Sequence, residues 1–252
     1  MEPLARENIR LAASVLLVRD THPLRGMEVF MVQRPGGAVF PNLHVFPGGK
    51  VDEVDFQPDI CSGIDDAHAS ELLGVSAGGI RYWVAVVREC FEECGVLLAR
   101  RDGQHLTLDD DGWERFHEDR HELVDGRINM GELCARERLI LECEDVLYFS
   151  HWLTPGGAAK RFDTRFFVAA MPHGQEADPH EWETQHGMWI EACEALTRHA
   201  REEWQMISPT LVALESIDAY DNVADLLADV RLERHNPPYT EALRVQGMQL
   251  MR

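Results

Sequence analysis

Basic residues are scarce in this sequence. Its 252 residues include 24 lysines and arginines against 44 aspartates and glutamates, which gives a formal net charge of −20. Proteins that hold a phosphate backbone concentrate Lys and Arg on one face, where they displace counterions. The charge balance therefore argues against nucleic acid as a partner.

Long apolar runs and paired cysteines are also missing. No window reaches the roughly 18 apolar residues that cross a bilayer, and the opening MEPLARENIR lacks the apolar stretch of a secretory signal. The six cysteines form no CxxC pair and no regular framework. In a chain of this length they indicate reduced thiols. We therefore expect a cytoplasmic protein with no membrane partner.

The hydrophobic fraction of 45% leaves room for a sizeable core. Short apolar runs predict strands, and several longer segments have helical periodicity. The predicted strands are 11–18, 27–33, 146–154, 164–172 and 187–190, and the predicted helices are 66–74, 80–100, 191–204, 208–217 and 222–230. The helix over 80–100 is the strongest, because its apolar positions share one stripe at about 100° per residue: Trp83, Val84, Val87, Phe91, Cys94 and Leu98.

The second half of that helix carries a dense acidic pattern in the run RECFEECGV, residues 88–96. Relative to Glu89, the side chains of Glu92 and Glu93 fall about 60° to one side and about 40° to the other. Three like charges on one helix edge are destabilising, and a hard divalent cation relieves the repulsion. Taken alone, such a run more often means a solvated acidic face.

The upstream segment FPGGKVD, residues 46–52, changes that balance. With it, the sequence resembles the Nudix hydrolase superfamily, whose box reads G-x5-E-x7-R-E-U-x-E-E-x-G-U, where U is apolar. Gly49 matches the first glycine, and Asp55 stands where the family has Glu. A further departure is that 32 residues separate Asp55 from Arg88. The second half of the box is matched in full, by Arg88, Glu89, Phe91, Glu92, Glu93, Gly95 and Val96.

Several flanking segments are similar to one Nudix branch, the group that includes the peroxisomal coenzyme A diphosphatases. They are residues 29–49, 85–100, 151–172 and 208–210, and that group also has an insertion within its box. The resemblance implies cleavage of a nucleoside diphosphate derivative, with coenzyme A or acyl-coenzyme A as the best candidate. The alternatives are an ADP-ribose or NADH pyrophosphatase and a Nudix ligand-sensing module without turnover.

The resemblance also implies the fold, an α/β (α+β) protein built as an α/β/α sandwich around a central mixed sheet. We expect a single Nudix domain over 1–252 with its core at about 10–205. Helical insertions are expected at about 56–79 and 102–145, and a helical C-terminal extension at 206–252. Because superfamily members are often dimers, a homodimer is possible.

The metal site and its chemistry follow from the resemblance as well. It implies that Glu89, Glu92 and Glu93 bind Mg²⁺ or Mn²⁺, with a backbone carbonyl at Gly48–Gly49 as a further ligand. Glu89 is also the candidate to orient or deprotonate the attacking water. Arg88 is expected to pair with a box carboxylate and fix its orientation, against the alternative of a surface ion pair.

Other candidate residues lie outside the helix. Arg34, Gly48, Arg161 and Arg165 are candidates for holding substrate phosphates, and the arginines have structural salt bridges as their alternative. A possible accessory acid comes from Glu176, Asp178 or Glu181, with an acidic surface loop as the alternative reading. Phe40, Phe46 and Trp152 are candidates for a nucleotide pocket, although aromatic residues in strands more often lie in the core.

One further motif is set aside. Residues 117–121 read HEDRH, which spells the H-E-x-x-H signature of zinc proteases. The two intervening positions in such helices are generally uncharged, whereas here they are Asp119 and Arg120. No third ligand follows either, so we predict no zinc site.

Overall fold

The structure is a computed structural model that describes residues 9–21, 26–34, 42–107, 110–154, 156, 160–178, 186–235 and 249–251. Its strands are β1 Ile9–Asp20, β2 Met27–Gln33, β3 His44–Val45, β4 Gly48–Lys50, β5 Ala99–Arg101, β6 Gln104–His105, β7 Leu139–Leu141, β8 Leu147–Leu153, β9 Arg161–Ala170, β10 His186–Glu191 and β11 Gln249–Met251. Its helices are α1 Asp66–Leu73, α2 Ile80–Cys94, α3 Asp110–Val124, α4 Met130–Glu137, α5 Ala192–Ala200, α6 Ser208–Ile217 and α7 Val223–Arg231.

Within the described ranges, eight strands form one mixed sheet. Its order is β10-β2-β1-β9-β8-β11, with β3 paired to β2 and β4 paired to β1. The long central strands β1 and β9 are parallel, and the other pairs are antiparallel. Strand β4 places Gly48 and Gly49 opposite Ser14 and Ala13 of β1. The glycine pair is thereby fixed to the middle of the sheet.

Helices cover both faces of this sheet, because alternate side chains of β1 point to opposite sides. Val15 and Leu17 enter the core that β1 shares with α2, whereas Leu16 and Val18 enter the core with α5, α6 and α7. All four are fully buried, and each such side chain contributes about 1.5–3 kcal/mol by leaving water. The expected three-layer α/β/α sandwich with a mixed sheet is confirmed.

Helix α2 is shorter than its sequence pattern predicts. It ends at Cys94, because Gly95 adopts a left-handed conformation (φ 68°) and donates its N–H to the carbonyl of Phe91. The prediction that the helix continues to residue 100 was wrong. Leu98 still lies in the same core, with 4% of its surface exposed. Apolar residues therefore continue the pattern after the helix has stopped.

Two segments expected to be helical also contain strands. Residues 102–145 include α3 and α4, but also β6 and β7, which pair with β5 in a small antiparallel sheet. Near the C-terminus, α6 and α7 are followed by β11, which extends the main sheet along β8. Of the helices described here, none is long and apolar enough to cross a membrane. All six cysteines are free thiols.

A buried histidine joins β3 to the layer of α5. The ring of His44 stacks on that of Trp204, with centroids 3.8 Å apart and planes 2° from parallel. Its Nδ1 atom is buried without a hydrogen-bond partner. Burial, followed by the charges of Arg198 and His186, lowers the pKa of His44 from 6.5 to about 4. The neutral ring is therefore the form that the fold accommodates.

We expect His44 to make the free energy of unfolding depend on pH. Its contribution is complete above pH 6.5 and is lost as the pH falls toward 4, because only the unfolded chain binds the proton readily in that window. The loss is expected to be about 1–3 kcal/mol. His44→Phe keeps a ring on Trp204 and should show a flatter decline in urea unfolding over this range. Equal slopes for the variant and the wild type would contradict the assignment.

Candidate active site

The acidic edge of α2 is buried, which excludes the interpretation of a solvated face. Helix α2 packs on β1 and β4, and Glu89 and Glu92 are only 9% and 7% exposed. Burial of an ionised carboxylate is costly unless the charge is paired or binds a cation. The partners of these two side chains therefore decide what the site can do.

Arg88 is the common partner of three box carboxylates. Its Nε and Nη2 atoms donate to both oxygens of Asp55, at 2.9 and 3.1 Å. Its Nη1 atom donates to Glu89 at 2.8 Å and to Glu92 at 2.9 Å. Burial alone would lower the pKa of Arg88, but the hydrogen bonds to Asp55 and the charges of Glu89 and Glu92 raise it above its usual value. The guanidinium therefore stays charged.

The bidentate Arg88–Asp55 pair also joins the two halves of the box across the inserted segment. Asp55 is 2% exposed and lies in a short 3₁₀ turn, Glu53–Asp55, after β4. Its shorter side chain reaches Arg88 without loss of bidentate geometry, although the family has Glu at this position. A further bond, from Nη2 of Arg88 to the carbonyl of Lys50 at 2.8 Å, holds the end of β4.

The glycine pair brings the backbone of β4 against the helix carboxylates. The N–H of Gly48 donates to Oε2 of Glu93 at 2.8 Å. A Cβ atom on Gly49 would lie 2.4 Å from Oε2 of Glu89, so only glycine leaves room for that carboxylate. A Cβ atom on Gly48 would lie 2.4 Å from the carbonyl oxygen of Ala13. Glycine is therefore required at position 48, where a Cβ atom would meet backbone, whereas a Cβ atom at position 49 would instead force the Glu89 carboxylate to move.

The carboxylates at this site outnumber its arginines: the acids are Asp55, Glu89, Glu92 and Glu93, and the bases are Arg88 and Arg34. Burial raises the pKa of Glu93 well above its usual range, and the charge of Glu89 raises it further. The N–H of Gly48 and the charge of Arg34 act in the opposite direction without cancelling that effect. A divalent cation would relieve this repulsion.

The donor set fits a hard cation by its chemistry. Carboxylate and backbone carbonyl oxygens are the ligands that Mg²⁺ and similar ions prefer. The absence of a side chain at Gly49 leaves room for the carboxylate of Glu89. Within the described part of the chain, however, no three His, Cys, Asp or Glu side chains are already grouped to hold a metal ion. Arg88 bonds to one oxygen of Glu89 and to one oxygen of Glu92, so it orients both carboxylates without engaging both oxygens of either one.

The loop of residues 175–178 lies at the C-terminal end of α2. Buried Gln175 exchanges hydrogen bonds with the backbone N–H and carbonyl of Leu97, both at 2.9 Å. The N–H of Asp178 donates to the carbonyl of Cys94 at 2.8 Å. The Asp178 side chain is exposed, as is that of Glu176. Of the three candidate accessory acids, Asp178 is the one that this loop fixes to the helix end, and Glu181 lies outside the described residues.

The candidate phosphate-binding arginines lie in different surroundings. Arg34 follows β2 and is close enough to Glu93 to influence its pKa. Arg165 is 5% exposed, with its Nε atom 3.4 Å from Asp163 and its guanidinium 5.9 Å from the ring centroid of Tyr82. These contacts favour the salt-bridge interpretation of Arg165. Arg161 donates to the carbonyl of Thr154 at 3.0 Å.

The two described aromatic residues that were candidates for a nucleotide pocket lie in the core instead. Phe46 and Trp152 are 2% and 4% exposed and belong to the core on the α5–α7 side of the sheet. They therefore pack as core residues. Phe40 lies outside the described residues.

Arg120 is a residue of this region that sequence reasoning missed. It lies on α3 with only 2% of its surface exposed and donates from Nε to the carbonyl of Glu92 at 2.9 Å. The sequence did hold a signal, because Phe116, Arg120 and Leu123 share the buried stripe of α3 at helical spacing. The rings of His117 and His121 in the HEDRH motif contact each other edge to face, with centroids 4.7 Å apart.

Comparison with known protein families places a matched domain in the middle of the chain. The model of the NUDT19 Nudix domain matches residues 77–217, which is more than half of the chain. That match contains the second half of the box and α3, whereas Gly49 and Asp55 precede it. The resemblance to this Nudix branch is confirmed.

Two curated relatives carry the same description, acyl-coenzyme A diphosphatase NUDT19. The human protein is 26% identical over 251 residues, covering 81% of this chain and 64% of the relative. The Xenopus laevis protein is 27% identical over 179 residues, covering 57% of this chain and 47% of the relative. The matched part thus spans about half to two thirds of these relatives.

A solved structure has the same fold over nearly the whole chain. The NUDIX hydrolase from Alicyclobacillus acidocaldarius is 26% identical, with a TM-score of 0.67, and the match covers 89% of this chain and 97% of that one. The central sheet and its helical layers are therefore shared with this protein.

Proposed function

Because the chain belongs to the NUDT19 Nudix domain family, we propose that it is a metal-dependent hydrolase of a diphosphate bond. The observation that carries this proposal is the meeting of the two box halves. Asp55 and the Gly48–Gly49 pair contact Arg88, Glu89 and Glu93 of α2 despite the insertion between them.

The reaction is the attack of water on one phosphorus of the diphosphate, with cleavage of its bridging P–O bond and departure of the other phosphate. Bound Mg²⁺ or Mn²⁺ would neutralise charge on the phosphates, held by Glu89, Glu92, Glu93 and the Gly49 carbonyl. Glu89 is the proposed base that orients the water and takes its proton. Arg88 orients Glu89 and Glu92 through the hydrogen bonds described above.

Further proposed contacts to the substrate come from residues next to β2 and from the 175–178 loop. Arg34, together with the backbone at Gly48, is the proposed contact for the phosphates, and Asp178 is the proposed accessory acid. Arg161 is a second proposed contact for the phosphates. Arg165, which is paired with Asp163, is better assigned to the ion pair.

Coenzyme A or an acyl-coenzyme A is the first candidate substrate, and the descriptions of the two curated relatives support it. Cleavage of coenzyme A would release adenosine 3′,5′-bisphosphate and 4′-phosphopantetheine. The net charge of −20 supports a small-molecule substrate over nucleic acid. Free thiols throughout support a reducing compartment such as the cytoplasm, and the homodimer stays a prediction.

A substrate panel tests the proposal. Coenzyme A, acetyl-coenzyme A, ADP-ribose, NADH and diadenosine polyphosphates would each be incubated with Mg²⁺ or Mn²⁺ and the products identified by mass. We expect the two coenzyme A compounds to be cleaved with the highest kcat/KM. Preference for ADP-ribose or NADH would replace the substrate and keep the chemistry. Binding without turnover of any of them would favour the sensing module.

A further inference from the structure

Arg120 links three parts of the protein that are distant in sequence. From α3 its Nε atom donates to the carbonyl of Glu92 at 2.9 Å, and its Nη2 atom donates to the carbonyl of Asp178 at 2.9 Å. Its Nη1 atom is 3.8 Å from the carboxylate of Asp178. One buried guanidinium therefore contacts both the last turn of α2 and the 175–178 loop.

The environment of Arg120 explains why a charged side chain is buried there. The last carbonyls of a helix have no partner within the helix and carry partial negative charge. Arg120 donates a hydrogen bond to one of these carbonyls, and it adds a positive charge next to the end of α2 that carries Glu92 and Glu93. Gly95 makes room for it, since a Cβ atom on that residue would lie 3.1 Å from Nη1 of Arg120.

The same contacts fix the distance between the helix end and the loop. The N–H of Asp178 bonds to the carbonyl of Cys94, and Arg120 bonds to the carbonyl of Asp178. Helix α3 itself is held on α2 by the edge-to-face contact of Phe116 with Phe91, whose ring centroids are 6.2 Å apart. Arg120 thus acts from an anchored helix.

We propose that Arg120 is a positioning residue of the active site. It holds the C-terminal turn of α2 and the 175–178 loop in one arrangement, so that Glu92, Glu93 and Asp178 keep their relative places. The segment 102–145 thereby supplies a part of the site that the box itself lacks. This inference rests on the proposed hydrolase function, but its structural half can be tested without turnover.

The test compares Arg120→Met and Arg120→Lys with the matched control Arg115→Met. Arg115 lies on the same helix, but it is exposed, and its partner Glu137 keeps a second ion pair with Arg101 when Arg115 is replaced. The first readout is amide hydrogen exchange at residues 176–178. Exchange should accelerate about fivefold or more in Arg120→Met, because the hydrogen bonds that hold the loop are lost. The control should exchange like the wild type.

The second readout is kinetic, with coenzyme A and a divalent ion. A displacement of about 1 Å at the reacting groups can cost up to about a hundredfold in rate. We expect kcat of Arg120→Met to fall by about tenfold or more, with a smaller change in KM and a higher ion concentration needed for half activation. The kcat of Arg120→Lys, which retains the positive charge, should lie between those of Arg120→Met and the wild type.

These readouts separate the two claims. Wild-type exchange and wild-type kcat in a folded Arg120→Met protein would overturn the positioning role, whereas a wild-type protein that cleaves no substrate would overturn the proposed function alone. A lower melting temperature with unchanged kcat per folded molecule would mean a purely structural role and would also overturn it. Should Arg120→Met fail to fold, Arg120→Lys decides by the same criteria.

Discussion

Glu92→Gln is expected to lower kcat for diphosphate cleavage by at least about a hundredfold while leaving the fold intact. The amide oxygen of glutamine can still accept the hydrogen bond that Arg88 gives to Glu92 at 2.9 Å. The variant removes the negative charge that would help hold the cation. Because the side chain keeps its volume in a position that is 7% exposed, packing in α2 should not change.

Activity and thermal unfolding measured on the same preparation check this expectation. The control is Glu71→Gln on α1, which removes the same charge from an exposed position and should behave like the wild type. Turnover of Glu92→Gln at the wild-type rate would show that Glu92 has no part in the reaction. Loss of activity together with loss of the fold would instead assign Glu92 to stability.

Gly49→Ala is expected to remove most of the activity with little change in stability. The new methyl group would lie 2.4–2.5 Å from the three carboxyl atoms of Glu89, so this carboxylate must move. A side-chain end can shift at small cost, which spares the fold. Displacement of the proposed base by about 1 Å, however, should lower kcat by up to about a hundredfold.

The matched control for this variant is Gly156→Ala. Among the residues that the structure describes, none has an atom within 4 Å of a Cβ atom on Gly156, so the same chemical change is made without a close contact to them. We expect wild-type kcat and melting temperature for the control. Wild-type kcat in Gly49→Ala would mean that the position of the Glu89 carboxylate does not matter for the reaction.

The sequence predicts most of the core and the residues of the box. Alternating burial on β1 and the helical stripe of α2 follow from local periodicity, so short segments are sufficient to identify them. The end of α2 was predicted incorrectly because Val96, Leu97 and Leu98 continue into the same core and imitate the helical pattern. The left-handed Gly95 overrides that pattern.

Contacts between distant segments are what local patterns cannot give. The small sheet pairs Ala99 with Leu141, and neither short strand shows a clear alternation on its own. Arg120 reaches Glu92 from a segment whose charges indicate only a solvated helix or a false zinc motif. In contrast, the resemblance to the family box predicts that Arg88 pairs with a box carboxylate, and the structure shows Asp55 as its bidentate partner.

The most direct test of the proposed metal-dependent cleavage is the initial rate of coenzyme A hydrolysis by the wild-type protein as a function of divalent ion concentration. If the carboxylates on α2 hold the cation, chelation of divalent ions should abolish turnover, and Mg²⁺ or Mn²⁺ should restore it to saturation, with adenosine 3′,5′-bisphosphate and 4′-phosphopantetheine as products. Full activity in the presence of a chelator would contradict the role of the carboxylates on α2 as metal ligands.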